Sequence, residues 1–397
     1  MSFDETKSSS EKYIMNVYNR FNVSIAYGKG ATAFDEEGKE YIDFTSGIGV
    51  NSLGYSNDGW VNAVTEQLKK VQHTSNLFYQ PAQAEFCKNL CEKSGFARVF
   101  LGNSGAEANE CAIKIARKYS EDKYGESRSN IITLNNSFHG RTITTLSTTG
   151  QIVFHQLFKP LTDGFMYVDS GDIEQLKKAA DDSVCAIMLE TVQGEGGVLP
   201  VPADYIAAVA ELCKERDILL IFDEVQTGAG RTGKLFSWEH IGVKPDIMTA
   251  AKGIGGGLPI GACLCSEKLK DVLQKGQHGS TFGGNPVVCA GADYVLKNIA
   301  DEAFLKEVTE KGEYINEKVS SMPGVKFVRG VGLLLGVKLA DDEARKCAEE
   351  CAANGLLILT AKTLLRIMPP LNITYAEIDK GLGVLKSVLE KRYAKKA

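Results

Sequence analysis

Short, unbroken apolar runs that alternate with amphipathic stretches constrain this chain more than any other feature. The runs fall at residues 98–101, 130–134, 186–189, 218–222, 246–250 and 260–265, with helical patterns among them at 106–119, 173–180 and 204–216. A strand that is apolar on both faces must be covered on both, and helical crossovers between such strands make the sheet mostly parallel. The spacing therefore predicts an α/β protein. Helices are expected at 58–72 and 81–93, and a hairpin whose two runs flank residues 35–38 in an opening segment of about 55 residues read as strand and loop. A long helical segment is expected from Pro286 to about Ser320, followed by strands at 325–328, 332–338, 356–359 and 364–368 alternating with helices. That is a second, smaller α/β unit.

Composition narrows the function classes. The formal net charge of −5 excludes a broadly basic nucleic-acid surface. No apolar run approaches the ~18 residues that cross a bilayer, and the first 20 residues have no apolar signal-peptide core. A cytosolic location is expected, without membrane or nucleic-acid partners. The ten cysteines form no C-x-x-C and the five histidines no H-x-x-x-H, so the thiols are read as buried side chains and no metal site is expected. Glycine is the one excess, 40 of 397 residues, and 16 of them lie between Gly194 and Gly284. Backbone folded tightly around something explains such a concentration.

Three motifs carry chemistry. The run 218–222 ends in Asp223 and Glu224, and ligands of parallel sheets bind outside the carboxyl ends of the strands. The run 246–250 leads to Lys252 and then to four glycines in five residues, where a lysine amine could act as a nucleophile on a carbonyl. The stretch Gly102-Asn-Ser104-Gly105-Ala106-Glu107 follows a strand and opens a helix. Ser104 and Glu107 have capping-box spacing, and a helix start so built is also a seat for phosphate. A fourth motif, residues 228–233, fits G-x-G-x-x-G and with it a nicotinamide oxidoreductase. The dinucleotide fingerprint needs its first glycine directly after the strand and a helix at its third, and neither condition is met here. An acid, a lysine and a phosphate seat on one sheet are what pyridoxal phosphate needs: a carboxylate for the ring nitrogen, an amine for the aldehyde and a helix N-terminus for the phosphate.

The sequence resembles the class III (ω-) pyridoxal-phosphate aminotransferases along nearly its whole length. The stretches YIDFTSGIGVNSLGY, FLGNSGAEANECAIKIARKY, SFHGRT, ETVQGEGGVLP, LLIFDEVQTGAGRTGKLFSWEHIGVKPDI, TAAKGIGGGLPIGA, HGSTFGGNP and RIMPPLNIT carry the match. The resemblance implies fold type I: a large domain at 56–290 with a mostly parallel seven-stranded sheet, and a small domain at 291–397 joined by residues 1–55. It implies that Lys252 holds the cofactor aldehyde and shuttles the proton, that Asp223 pairs with the ring nitrogen, and that Gln226 contacts the ring hydroxyl. Ser104, Gly105 and Ala106 would cradle the phosphate, with Ala106 standing where many relatives have threonine, and Phe138 would stack on the ring. Thr281 would reach the phosphate of a partner subunit's cofactor, which implies a homodimer with shared sites. Arg141 and Arg366 would bind substrate carboxylates, Glu195 would neutralise Arg366 when the donor presents no carboxylate there, and Tyr18 would contact substrate. The implied reaction transfers the ω-amino group of N2-acetylornithine to 2-oxoglutarate, as in arginine biosynthesis. Ornithine, succinylornithine, succinyldiaminopimelate and 4-aminobutyrate are the alternative donors. An idle cofactor-binding protein is disfavoured because Lys252, Asp223 and both arginines are all present.

Overall fold

The computed structural model describes residues 1–394. Its centre is a seven-stranded sheet in the order Arg98–Gly102, Gly261–Cys265, Ile247–Ala250, Leu219–Asp223, Val184–Leu189, Asn130–Leu134, Phe165–Val168. Gly261–Cys265 runs antiparallel to both neighbours, and the other four pairings are parallel. The predicted apolar strands are the sheet's core: Val184–Leu189 and Leu219–Asp223 are buried at every position. Helices cover both faces. Gly105–Tyr124 packs on one through Ala108, Cys111, Ala112, Ile115 and Ala116. On the other, Ala203–Arg216 buries Ile206, Val209 and Leu212 against Ile187, Leu220 and Phe222. Burying such a side chain stabilises by roughly 1.5–3 kcal/mol each, so these faces fix the sheet that presents the site.

A second sheet, in the order Val325–Val331, Leu334–Leu339, Leu364–Ile367, Leu359–Ala361, is antiparallel throughout. A third joins Tyr27–Lys29, Thr32–Phe34 and Glu40–Asp43 to Leu356–Leu357, so the beginning of the chain pairs with its C-terminal part. The hairpin expected around residues 35–38 is present, Thr32–Phe34 pairing with Glu40–Asp43.

Three local expectations need correction. The opening segment contains a helix, Phe3–Tyr13, with a capping box between Ser2 and Glu5. It buries no residue, so it has no apolar stripe to betray it. The long helix after Pro286 is two, Pro286–Ile299 and Glu302–Ser320, because Asp301 turns the chain and caps the second through the Phe304 N–H at 2.9 Å. The seventh strand, Phe165–Val168, is a four-residue edge piece whose short run Phe-Met-Tyr-Val is not among the six runs above. Among the described residues no helix is long and apolar enough to cross a membrane.

Candidate active site

The carboxyl ends of Leu219–Asp223 and Ile247–Ala250 lie side by side, with Asp223 opposite Thr249 in parallel register. Above them opens a cavity of about 380 Å³ lined by Ser104, Gly105, Ala106, Asn109, Phe138, His139, Glu190, Glu195, Asp223, Gln226 and Lys252. Nine of the twelve site residues expected from sequence thus meet in one place: eight line the cavity, and Arg366 joins through Glu195.

Successive side chains of a strand point to opposite faces, and this separates the two adjacent acids. Asp223 faces the cavity. Its Oδ2 accepts hydrogen bonds from Asn109 Nδ2 (2.8 Å) and lies 2.8 Å from His139 Nδ1, while Oδ1 accepts from the Val225 N–H at 2.9 Å. Glu224 turns away and is consumed by structure. It accepts from the Ser237 and Trp238 N–H groups and from the hydroxyls of Ser237 and Thr227.

Asn109, His139 and Glu190 are the residues that motif reasoning missed. Asn109 Nδ2 also donates to the His139 carbonyl at 2.7 Å, and its Oδ1 accepts from Thr249 Oγ1 at 2.7 Å. Glu190 accepts from the N–H groups of Phe138 (2.9 Å) and Gly194 (3.2 Å). Burial pushes its carboxyl up to about 7, against the opposing pull of His139. Asn109 and His139 stand in polar sequence that gives no such signal, whereas Glu190 directly follows the apolar run 186–189, as Asp223 follows its own.

Lys252 follows its strand in a short turn and has left-handed backbone, φ 44°. Burial pushes its amine below the ordinary lysine value, and Arg366 adds to this. The carboxylates of Glu195, Asp223 and Glu190 oppose it without restoring it. An amine so placed gives up its proton more readily than an ordinary lysine, and the neutral amine is the nucleophile.

At the start of helix Gly105–Tyr124, the Ser104 hydroxyl accepts from the Glu107 N–H at 3.2 Å, and Glu107 reaches back to the Asn103 N–H at 2.8 Å. The first-turn N–H groups of Gly105 and Ala106 have no acceptor within the helix and border the cavity. Side chains are excluded here. A Cβ on Gly261 would lie 2.0 Å from the Ser104 carbonyl, and one on Gly105 would lie 2.8 Å from Val225 Cγ1. A bare helix N-terminus, a buried amine and a donor-supported carboxylate around one cavity fit the phosphate, aldehyde and ring nitrogen of pyridoxal phosphate.

Glu195 stands between the two sheets. It pairs with Arg366 of Leu364–Ile367, and its Oε1 accepts from Gln226 Nε2 at 3.2 Å. Burial would raise its carboxyl, but Arg366 and Lys252, with hydrogen bonds from Arg366 and Gln226, hold it below the ordinary value. Arg366 itself is buried, and its Nε has no partner among the described residues.

Three expected site residues lie outside the cavity. Arg141 is exposed, with its guanidinium 4.1 Å from the Phe154 ring centre and 5.2 Å from that of Phe138. Thr281 is exposed on a loop held by Asn76, whose amide donates to the carbonyls of Ser280 and Gly283, both at 3.0 Å. Tyr18 is 65% exposed with Arg20 over its ring, and is not brought to the cavity within this chain. The G-x-G-x-x-G stretch is packing. Gly230 lies against Leu305 and Leu371, a Cβ on Gly233 would meet Thr309 Oγ1 at 2.0 Å, and no helix starts at Gly233.

Comparison with known proteins agrees with this geometry. The chain is 50% identical over 393 residues to the acetylornithine aminotransferase of Haemophilus ducreyi, covering 98% of this chain and 99% of that one. It is 47% identical over 384 residues to that of Caldanaerobacter subterraneus, covering 96% and 98%. Among solved structures, the ornithine aminotransferase of Toxoplasma gondii superposes with a TM-score of 0.95 at 33% identity, covering 100% of this chain and 97% of that one. The N-acetylornithine aminotransferase of Stenotrophomonas maltophilia gives 0.85 at 36%, covering 98% and 100%. The profile of the family described as Aminotransferase class-III matches residues 13–389. This chain belongs to the class-III aminotransferases.

Proposed function

We propose that the protein transfers the ω-amino group of N2-acetylornithine to 2-oxoglutarate, with pyridoxal phosphate held in the cavity and two copies of the chain sharing their sites. The observation that carries the reading is the buried Arg366 closed by Glu195 at the cavity edge. A guanidinium is suited to a carboxylate. Covered by Glu195, it leaves room for an ω-amine donor that has no carboxylate there. Uncovered, it is free for a carboxylate of 2-oxoglutarate or glutamate.

When bound, the cofactor supplies an aldehyde that takes the amino group and a ring that accepts electrons. The rest is assigned to side chains. Lys252 Nζ would hold the aldehyde and carry the proton at the reacting carbon. Asp223 would keep the ring nitrogen protonated, its carboxylate fixed by Asn109, His139 and the Val225 N–H. Gln226 would bind the ring hydroxyl, Phe138 would lie against the ring, and Ser104, Gly105 and Ala106 would hold the phosphate. Arg141 and Tyr18 bind the substrate end remote from Arg366. Thr281 serves the partner copy's phosphate. Leu77, Phe78, Tyr79 and Phe282, all exposed around the Asn76–Ser280 contact, support a second copy as the cover of that face. The division into residues 1–55, 56–290 and 291–397 is kept as the proposed domain plan, supported by the sheet that joins Glu40–Asp43 to Leu356–Leu357.

Ornithine is the second reading, favoured by the TM-score of 0.95 with the ornithine enzyme. A panel of half reactions decides. Loss of the visible, borohydride-sensitive absorbance of the loaded protein is followed with acetylornithine, ornithine, succinylornithine, 4-aminobutyrate and glutamate. Acetylornithine is expected to be the fastest ω-donor; a faster ornithine reaction overturns the assignment.

A further inference from the structure

Glu195 sits at the tip of a small hairpin. Val192–Gln193 pairs with Leu199–Pro200, and residues 194–198 make the turn between them. Three of those five are glycines, at 194, 196 and 197. Such a tip loses much conformational freedom when it is held in one place. Two of its contacts are internal: the N–H groups of Gly197 and Val198 both donate to the Gly194 carbonyl, at 3.3 and 3.1 Å. Something outside the turn must fix where it lies.

The antiparallel sheet provides that fixture. Arg329 pairs in register with Gly336, and Gly336 with Arg366. Residues directly opposite one another in antiparallel strands share a face, so two arginines flank one glycine in a row. The hairpin tip lies along this row. Arg366 takes the Glu195 carboxylate. Gly336 leaves space for Val198, since a Cβ there would lie 3.0 Å from Val198 Cβ. Arg329 grips the Gly197 carbonyl, donating from Nη2 at 2.8 Å and from Nε at 3.2 Å. No carboxylate among the described residues forms an ion pair with Arg329, so its charge is directed at this peptide.

We propose that Arg329 is a positioning residue for discrimination between amino donors and dicarboxylates. It clamps the tip through Gly197 and thereby keeps Glu195 on Arg366. Without the clamp the glycine-rich tip samples positions in which Arg366 is uncovered, and any ligand that brings a carboxylate to Arg366 binds more tightly. The argument rests on the reading of Glu195 as the cover of Arg366.

The test measures binding rather than turnover. Glutarate, an unreactive five-carbon dicarboxylate, is titrated calorimetrically into the loaded wild type and into Glu195→Ala, Arg329→Ala, Arg329→Gln and the Glu195→Ala/Arg329→Ala double variant. Arg329→Ala is expected to tighten glutarate about fivefold, the low end of ordinary coupling between sites. Glu195→Ala should tighten it more. Arg329→Gln keeps a donor and should fall between wild type and Arg329→Ala. In the double variant the loss of Arg329 should add nothing to Glu195→Ala. A merely structural role would not give that non-additivity. Unchanged glutarate affinity in Arg329→Ala, beside a gain in Glu195→Ala, overturns the proposal and leaves Glu195 as the cover. A further gain from Arg329→Ala in the Glu195→Ala background overturns it too, because Arg329 would then act by another route. No gain in Glu195→Ala itself refutes the underlying reading of Glu195. Should Arg329→Ala fail to fold, Arg329→Gln against Arg329→Lys in both backgrounds makes the same comparison.

Discussion

Replacing Asn109 with alanine should damage the site more than any single change on its rim. Asn109 is 1% exposed and makes three hydrogen bonds: to the Asp223 carboxylate at 2.8 Å, to the His139 carbonyl at 2.7 Å and from Thr249 Oγ1 at 2.7 Å. It therefore ties helix Gly105–Tyr124 to the two strand ends that carry Asp223 and lead to Lys252. A bond to a charged group contributes about 1.5–3 kcal/mol and each neutral one about 1, so the loss sums to roughly 3–5 kcal/mol. Water entering the space left behind recovers part of this, which leaves roughly 3 kcal/mol as the expected cost. In thermal melting of the cofactor-stripped protein the midpoint should fall by about 3–4 °C. Thr249→Val removes only one donor and should cost about 1 kcal/mol. Turnover at saturating cofactor should fall as well, since Asp223 loses one of its three fixing contacts. A melting point within about 1 °C of wild type, with unchanged turnover, would refute this account of the network.

Four further outcomes are expected. Lys252→Ala should abolish the borohydride-sensitive absorbance and lower turnover by at least about 10²–10⁴-fold, as measured in stopped-flow half reactions. Glu195→Ala should speed the half reaction with glutamate and slow that with acetylornithine; an unchanged ratio removes Glu195 from donor selection. Gly261→Ala would put a Cβ 2.0 Å from the Ser104 carbonyl, a backbone atom that cannot swing aside, so the helix start must shift and cofactor affinity, read by equilibrium dialysis, should weaken. Glu190→Gln should change the pH dependence of stability. The buried carboxyl is raised from 4.5 to about 7, so the folded protein holds this proton more tightly than the unfolded chain does, and its ionisation costs stability as pH rises through that window. Glutamine cannot ionise, so the melting point of the variant relative to wild type should climb between about pH 4.5 and 7 and level off above.

What the sequence made legible is what depends on neighbours along the chain. Asp223 and Lys252 could be placed because each stands at or just beyond the end of an apolar run, and strand ends face the same edge of a parallel sheet. Ser104 could be placed because a capping residue and its partner are three apart. The buried network was invisible for the converse reason. Asn109 and His139 come from segments 30 residues apart, and their polarity becomes informative only when the fold brings them to the Asp223 carboxylate; Glu190 ends the run 186–189 as Asp223 ends its own and could have been found by the same rule. Helix Phe3–Tyr13 escaped because it is polar all round, although Ser2 and Glu5 held its capping signal. Tyr18 shows the limit from the other side. A resemblance assigned it to the substrate, but nothing local holds it there, and in the isolated chain the residue stands 65% exposed.

The two sheets divide the work of the site unequally. The large sheet presents Asp223, Lys252 and the helix start at Ser104, groups whose task is the same for every amino donor. The row Arg329–Gly336–Arg366 belongs to the small sheet, and in the reading proposed above it decides, together with the hairpin tip, which ligands meet an uncovered guanidinium. The glycine excess divides along the same line. Gly261 and Gly105 keep side chains out of the cradle beside the helix start, Gly230 and Gly233 let a turn pack on Leu305 and Thr309, and Gly194 to Gly197 make the tip that Arg329 must hold. Substitutions that alter donor choice without harming the chemistry should therefore concentrate at residues 194–198, 329, 336 and 366. A donor-selective variant that mapped instead to the ends of the central strands would contradict this division.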